Sequence, residues 1–467
     1  MSERATVKSA EPDGDPYVLD PSGVVDPPTT LRGRFRHLGP GLLISASVVG
    51  SGELILTTTL GAQAGFALLW MVVLATTVKV WVQMELATWT ILTGKTAIQG
   101  YSQVGRRWRG ASWINVVWIL AEIPSIMKRG ALIGGSAAAG SLMYPIVGES
   151  LSGRSLVAWS LLITGVTIVL LLTNKYKLIE RFSTASVVLF TLATVVLALA
   201  LPLTPFGYSG GDLVSGLQFA IPAGTLGIAI AMFGITGVGA DEMTAYTVWC
   251  IEKGYAKFTG PNDGTEAWAE RARGWIRVMR VDILVSWLIT TGCTLGFYII
   301  GAAVLHPQAL VPSGNEVIST LSRMYTDTLG TWANGLFLVA AFVILFSTAF
   351  AVGAANTRLW ADTLARLGVY DFADQAMRNK VTRILIAVIP TLWMVAYLFV
   401  QSPVLMLQIG GTATAVFLVA VVISVWKLRS TEVPKEFRSS TFLTTMLALS
   451  SIAILLLGAY TLYDTFS

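Results

Sequence analysis

The chain has few charges and very little cysteine or histidine. Only 13% of its 467 residues are charged and 54% are apolar, whereas soluble domains carry about 25% charged residues. A soluble globular class is therefore excluded. The two cysteines, Cys250 and Cys293, lie outside the predicted outer loops, which argues against a disulfide framework or a thiolate metal site. The two histidines, His37 and His306, lie near the ends of apolar segments, which excludes a histidine proton relay in the core.

Catalytic signatures are also missing from the chain. It contains no Walker A motif, no dinucleotide-binding glycine fingerprint after a strand, and no zinc-protease or serine-hydrolase motif. ATP-driven transport within this chain and hydrolytic chemistry therefore have no support. We expect a protein that is not an enzyme, needs no cofactor and does not bind nucleic acid.

Long apolar runs dominate what is present. A membrane-spanning helix needs about 20 apolar residues. Eleven runs meet that length, at residues 40–63, 66–92, 110–142, 155–173, 183–203, 218–249, 281–304, 332–353, 383–400, 403–426 and 443–463. We therefore predict an all-α integral membrane protein with about eleven transmembrane helices.

The basic residues predict the orientation of these helices. With the N-terminus in the cytoplasm, 27 of the 32 Lys and Arg residues fall on the inner side and only Arg154 and Arg323 fall outside. This distribution follows the positive-inside rule. It predicts a multi-pass protein of the cell membrane with a cytoplasmic N-terminus and an external C-terminus. The net charge of +5 therefore reflects membrane topology.

Glycines interrupt the first and the sixth apolar runs, and an acid follows each interruption. The first reads Gly50-Ser51-Gly52-Glu53 and the second runs from Phe233 through Gly239 to Glu242. Unpaired backbone groups and carboxylates persist in a bilayer only where they face protein, water or a solute. Paired interruptions of this kind indicate a transporter binding site. The predicted substrate-binding residues are Gly50, Ser51, Glu53, Ile235, Thr236, Val238, Asp241, Glu242 and, from the tenth segment, Gln408.

Two interpretations of the acids remain open. Carbonyl groups together with Glu53, Asp241 and Glu242 would form an oxygen-rich site for a hard cation. Alternatively, the acids cap the half-helices that begin after each break, where the helix dipole favours negative charge.

Further charges lie in the second and third segments. The predicted ion pathway or gate network consists of Glu85, Glu122, Lys128 and Arg129. Glu122 either takes part in ion passage or pairs with Lys128 or Arg129 in a buried network. Lys79 and Glu85 do not share a helical face at their spacing, so we expect their partners on other helices.

The spacing of the two breaks predicts an internal repeat. Five segments separate the breaks, which suits two five-helix units in inverted orientation plus one extra helix. The predicted domains are a disordered cytoplasmic tail at 1–36, the first repeat at 37–203, the second at 204–427, and an inner loop with the eleventh helix at 428–467.

Short motifs near the N-terminus resemble those of NRAMP-type divalent metal transporters. They are Gly39-Pro40-Gly41-Leu42-Leu43, the run Gly61-Ala-Gln-Ala-Gly-Phe-Ala-Leu-Leu-Trp70, and Thr93-Gly94-Lys95. The resemblance implies a LeuT-like fold with ten core helices and one extra helix. In that family the first break reads Asp-Pro-Gly-Asn and the sixth-helix break reads Met-Pro-His, and the Asp, Asn and Met bind the metal.

This chain departs from the family at those positions. Gly50 stands in the place of the Asp, Glu53 in the place of the Asn, and Val238 in the place of the Met. A register shifted by one turn would instead put Ala240 and Met243 at the family's spacing. Loss of the thioether weakens selection for soft metals, and loss of the His and one acid weakens the case for proton coupling.

These observations predict a secondary transporter that works by alternating access, as a monomer. The expected substrate is a divalent cation, Mg²⁺ or Mn²⁺ more than a soft metal, with Glu53 as its main anionic ligand. A transporter of a small organic solute, such as an amino acid or an amine, is the alternative on the same fold.

Overall fold

The structure, a computed structural model that describes residues 14–108, 110–173 and 176–466, is mostly helical. Within these ranges the only strands are β1 (Arg107–Trp108) and β2 (Ala111–Ser112), which pair in an antiparallel hairpin. The helices are α1 (Leu31–Arg36), α2 (Pro40–Val48), α3 (Thr58–Ala64), α4 (Leu69–Thr93), α5 (Ala97–Tyr101), α6 (Trp113–Met143), α7 (Gly153–Leu172), α8 (Tyr176–Ala200), α9 (Gly210–Ser215), α10 (Leu226–Ile235), α11 (Ala240–Glu252), α12 (Tyr255–Thr259), α13 (Glu266–Ile300), α14 (Val317–Leu329), α15 (Ala333–Arg366), α16 (Gln375–Val400), α17 (Pro403–Thr431) and α18 (Thr441–Phe466).

Each of the eleven predicted segments coincides with a helix or a pair of helices. By length and composition, eight spans in the described ranges are apolar enough to cross a membrane, and the bent pair α2–α3 makes a ninth. The other two of the eleven predicted segments correspond to α6 and α8. Helix α6 carries the charged residues Glu122, Lys128 and Arg129, and the apolar part of α8 is counted only from Val187. The predicted all-α membrane architecture is confirmed.

The two predicted breaks differ in conformation. Between α2 and α3 the chain does not unwind: residues Val49–Thr57 form a π-helix, and the pair bends by 41°. Between α10 and α11 the chain leaves the helical conformation at Thr236 (ψ 144°) and Gly237 (φ +74°) and re-enters it at Ala240. Both predicted interruptions are therefore present, the first as a bend with a wider helical turn that accommodates the glycines and the second as an unwound turn.

Glycines allow the central helices to approach closely. A Cβ at Gly234 of α10 would overlap the carbonyl oxygen of Gly411 in α17, and a Cβ at Gly50 would overlap the side chain of Thr348 in α15. Without a hydrophobic force between helices in lipid, such close contacts between small residues hold a bundle together. They fix both breaks against α15 and α17.

The chain before α1 is packed against the helices, in contrast to the predicted disordered tail. We call residues 14–30 the N-terminal strap. The Asp15 carboxylate lies 2.8 Å from Nη2 of Arg378, and the Tyr17 hydroxyl donates a hydrogen bond to Glu252 at 2.9 Å. The backbone N–H of Val25 donates to the carbonyl of Phe258 at 3.0 Å. Specific partners on the helices therefore order a segment whose composition alone predicts disorder; residues 1–13 lie outside the described residues.

Candidate functional site

Glu53 lies at the centre of the first break. It is fully buried, and its Oε2 accepts a hydrogen bond of 3.0 Å from the hydroxyl of Thr57, one turn further along the π-helix. π-Helical turns within α-helices are rare and lie frequently at functional sites. Gly52 permits the contact of this turn with α10, because a Cβ there would lie 2.9 Å from Cγ2 of Ile235.

The second break meets the first at this carboxylate. The backbone N–H of Gly237 donates to Oε1 of Glu53 at 3.1 Å, and the hydroxyls of Thr57 and Thr236 are 3.1 Å apart. Ile235 and Val238, the apolar residues of the second break, are buried beside them. The structure therefore joins Glu53, through Thr57, to Thr236, and it places Ile235 and Val238 next in sequence to the bonded residues Thr236 and Gly237. The side chain of Ser51 lies outside the described residues.

Lys79 is a central residue whose role the sequence did not reveal. Its ammonium group donates to the carbonyl oxygens of Phe233 and Thr236, at the end of α10, and lies 4.9 Å from the centre of the Phe233 ring. The side chain is fully buried in α4. A lysine within an apolar span indicates a buried charge that needs a partner. The sequence did not identify the partners, because they lie more than 150 residues away.

Asp241 and Glu242 do not join Glu53 as ligands of one site. Oδ2 of Asp241 lies 2.8 Å from Nζ of Lys128 and 3.1 Å from Nη2 of Arg129, while Oε1 of Glu242 lies 3.7 Å from Nζ of Lys128. The expected convergence of three carboxylates is therefore replaced by ion pairs. No side chain caps the start of α11 by a hydrogen bond, but Asp241 and Glu242 both lie in its first turn, where the helix dipole favours negative charge.

Glu122 belongs to the same buried network. It forms two hydrogen bonds with the guanidinium of Arg129, at 2.7 and 2.8 Å, and it accepts further bonds from Asn356 at 2.8 Å and Trp360 at 3.0 Å. Multiple hydrogen bonds to the carboxylate help to offset the cost of burying this ion pair. The network links α6, α11 and α15 beside the second break.

Glu85 and Gln408 lie apart from this network. Glu85 is 2.6 Å from Nη1 of Arg429 and accepts a hydrogen bond from Ser439 at 2.7 Å. Gln408 is half-buried, and in the described ranges its side chain makes no hydrogen bond. The predicted gate network therefore divides into the Glu122 cluster and a separate Glu85–Arg429 pair, and Gln408 is not brought to Glu53 by a polar contact.

The oxygen donors around Glu53 define what the site can hold. Within the described residues no group of three or more His, Cys, Asp or Glu side chains could hold a metal ion. Glu53 forms no ion pair with a described basic residue, so it is the available anionic donor of the breaks. A cation bound here would use its carboxylate, the hydroxyls of Thr57 and Thr236, and backbone carbonyls, all of which are hard ligands.

Comparison with known proteins identifies the family. Residues 41–464 match the model of the Natural resistance-associated macrophage protein-like family. An uncharacterized protein of Pasteurella multocida is 27% identical over 330 residues, which cover 69% of either chain. The divalent metal cation transporter MntH of Mycobacterium tuberculosis is 27% identical over 328 residues, which cover 67% of either chain.

A solved structure confirms the LeuT-like architecture. A variant of the Eremococcus coleocola manganese transporter superposes with a TM-score of 0.68 at 17% identity, over 94% of this chain and 90% of the other. At this identity the likeness concerns the fold. The family match extends over most of the chain and includes both breaks. The chain therefore belongs to the Natural resistance-associated macrophage protein-like (Nramp) family, whose members are membrane transporters and not enzymes.

Proposed function

We propose that this protein is a secondary transporter that moves a divalent metal cation across the membrane by alternating access. The observation that carries the proposal is the position of Glu53. It is a fully buried carboxylate that hydrogen-bonds residues of both breaks and forms no ion pair with a described basic residue, although the ammonium group of Lys79 lies close enough to act on it electrostatically. Buried acids in membrane helices are rare and usually functional. The names of the MntH relative and of the manganese transporter support the same substrate class.

The donors favour a hard cation. Glu53, Thr57 and Thr236 offer oxygen atoms, and Val238 offers no sulfur where the family pattern has methionine. Mg²⁺ and Mn²⁺ suit oxygen ligands, whereas thioethers select softer metals. Glu53 would supply the charge, and Gly50 and Gly52 would let the backbone carbonyls approach the ion.

The network around Glu122 would serve the conformational change. Arg129 holds both Glu122 of its own helix and Asp241 of α11, so any tilt of α11 against α6 must stretch these bonds. We assign Glu122, Lys128, Arg129, Asp241 and Glu242 to a gate that couples the second break to α6. Glu85 and Arg429 would form a second contact of this kind between α4 and α17.

The decisive experiment is uptake of Mn²⁺ and Mg²⁺ into proteoliposomes. We expect Glu53→Gln to lower uptake by at least about tenfold, because hydrogen bonds to a charged group contribute roughly 1.5–3 kcal/mol. The matched control is Glu270→Gln, an exposed position that should leave uptake unchanged. Equal flux in wild type and Glu53→Gln, or no divalent flux in wild type, would overturn the metal assignment.

A small organic solute is the second candidate. The observation that favours it is the pair of opposite charges at the second break, Glu53 on one side and Lys79 on the other, together with the lack of a multi-acid metal site in the described ranges. This arrangement suits a molecule with both an amine and a carboxylate. Thermal unfolding of the purified protein with divalent metals, amino acids or amines separates the two, because only the transported class should raise the melting temperature.

A further inference from the structure

The ammonium group of Lys79 occupies carbonyl groups that a helix break would otherwise offer to a cation. Phe233 and Thr236 are in the last turn of α10 and at its C-cap. Carbonyl groups at such a helix end lack intrahelical partners and carry the negative end of the helix dipole. Lys79 reaches both from α4.

Burial of this ammonium group needs a specific compensation. The side chain is fully buried, and the removal of an ammonium group from water costs several kcal/mol. Two hydrogen bonds to carbonyls and the face of the Phe233 ring provide direct contacts, and the nearby carboxylates of Glu53 and Glu242 add a favourable electrostatic interaction. The same groups would bind a free monovalent cation for the same electrostatic reasons.

Thr236 connects this cation to the candidate substrate site. Its carbonyl accepts from Lys79, while its hydroxyl contacts Thr57, which in turn donates to Glu53. The ammonium and the carboxylate are therefore joined through one residue of the second break. A change in what occupies the carbonyl of Thr236 would therefore be felt at Thr57, the residue that donates to Glu53.

We propose that Lys79 is a tethered cation that takes the place of a dissolved coupling cation at the second break. The covalent link keeps the carbonyls of Phe233 and Thr236 occupied at every stage of transport. Transport then has no requirement for a monovalent cation at this position. Removal of the side chain should create a binding site for a small organic ammonium ion. The uptake measurements below rest on the proposed function, whereas the melting-temperature measurements do not.

The test uses Lys79→Ala and n-propylammonium, which contains the heavy atoms that this substitution removes. We expect Mn²⁺ uptake by Lys79→Ala to fall about tenfold or more, since the loss of a charge-assisted hydrogen bond corresponds to at least that factor. n-Propylammonium should restore most of the uptake, and neutral n-propanol should not. Lys79→Met fills the space without charge, so its uptake should fall and should not recover. Lys95→Ala, which removes a lysine that is 40% exposed, is the matched control and should respond to neither compound.

Thermal unfolding provides a readout that is independent of the substrate. n-Propylammonium should raise the melting temperature of Lys79→Ala in detergent and leave that of wild type and Lys79→Met unchanged. If wild type fails to take up Mn²⁺, the proposed function fails, and the melting temperatures still test Lys79. The inference is overturned if Lys79→Met transports like wild type. It is also overturned if n-propylammonium neither stabilises Lys79→Ala nor restores its uptake.

Discussion

The carboxylate of Glu53 and the backbone N–H of Gly237 are 3.1 Å apart and share a hydrogen bond. The two residues are 184 positions apart in the sequence, so this bond ties the first break directly to the second. Gly237 has a left-handed φ of +74°, a conformation that side chains with a Cβ rarely adopt. The position of its N–H therefore depends on glycine.

Replacement of this glycine should disturb both stability and transport. In Gly237→Ala the new Cβ would lie 3.2 Å from Cα of Thr76 and the residue would remain left-handed, at a cost of about 1–2 kcal/mol. We expect a lower melting temperature and slower divalent uptake, because the strain and the close contact with Thr76 disturb the turn whose N–H bonds Glu53. The control is Gly335→Ala in α15, where a Cβ meets nothing within 4 Å; equal behaviour of the two variants would contradict the assigned role.

The Glu122–Arg129 pair should show strong coupling in a double-mutant cycle. Arg129→Met leaves Glu122 and Asp241 buried without this cation, and such a loss costs about 3–5 kcal/mol. The double variant Glu122→Gln, Arg129→Met should lose less than the sum of the single variants in chemical denaturation. Arg273→Ala breaks an exposed pair with Glu266 and should change the free energy of unfolding by only about 0–1 kcal/mol. Additive effects at Glu122 and Arg129 would argue against a direct pair.

The N-terminal strap should depend on the pair between Asp15 and Arg378. Both side chains are largely buried, and Asp15→Asn should cost roughly 1.5–3 kcal/mol because it removes a charge-assisted bond. Hydrogen exchange should then accelerate at the backbone amides of Gly23 and Val25, which are bonded in the native strap. Asp26→Asn changes an exposed acid of the strap and should leave exchange unaltered. Unchanged exchange in both variants would show that the pair does not hold the strap.

The predicted orientation can be tested by cysteine labelling in intact cells. Cys250 and Cys293 are buried, so the parent protein should react little with a membrane-impermeant maleimide. Ser313→Cys, in an exposed loop on the predicted outer side, should label in intact cells. Ser22→Cys, in the exposed part of the strap, should label only after the cells are opened. The reverse pattern would invert the topology.

Hydropathy located the membrane helices, and glycines followed by acids within the apolar runs located both breaks. Each apolar run must satisfy its backbone hydrogen bonds internally, and in a bilayer only a helix does so within one segment. Composition therefore predicts these spans without knowledge of their neighbours. The breaks were found for the same reason, since glycines followed by acids such as Glu53 and Glu242 conflict with a regular lipid-facing helix.

The tertiary structure decided which charges meet. The sequence grouped Asp241 and Glu242 with Glu53 because they follow equivalent breaks, but Lys128 and Arg129 of α6 neutralise Asp241 and Lys128 lies nearest Glu242. It also gave Lys79 no partner, although the carbonyls at the end of α10 hold it. The sequence by itself determined the class of the protein and the position of its candidate site, because helix formation in lipid is a local property. Only the fold decided the ligands and counter-ions, because charge pairing in a low-dielectric interior depends on distances of a few ångströms between helices remote in sequence.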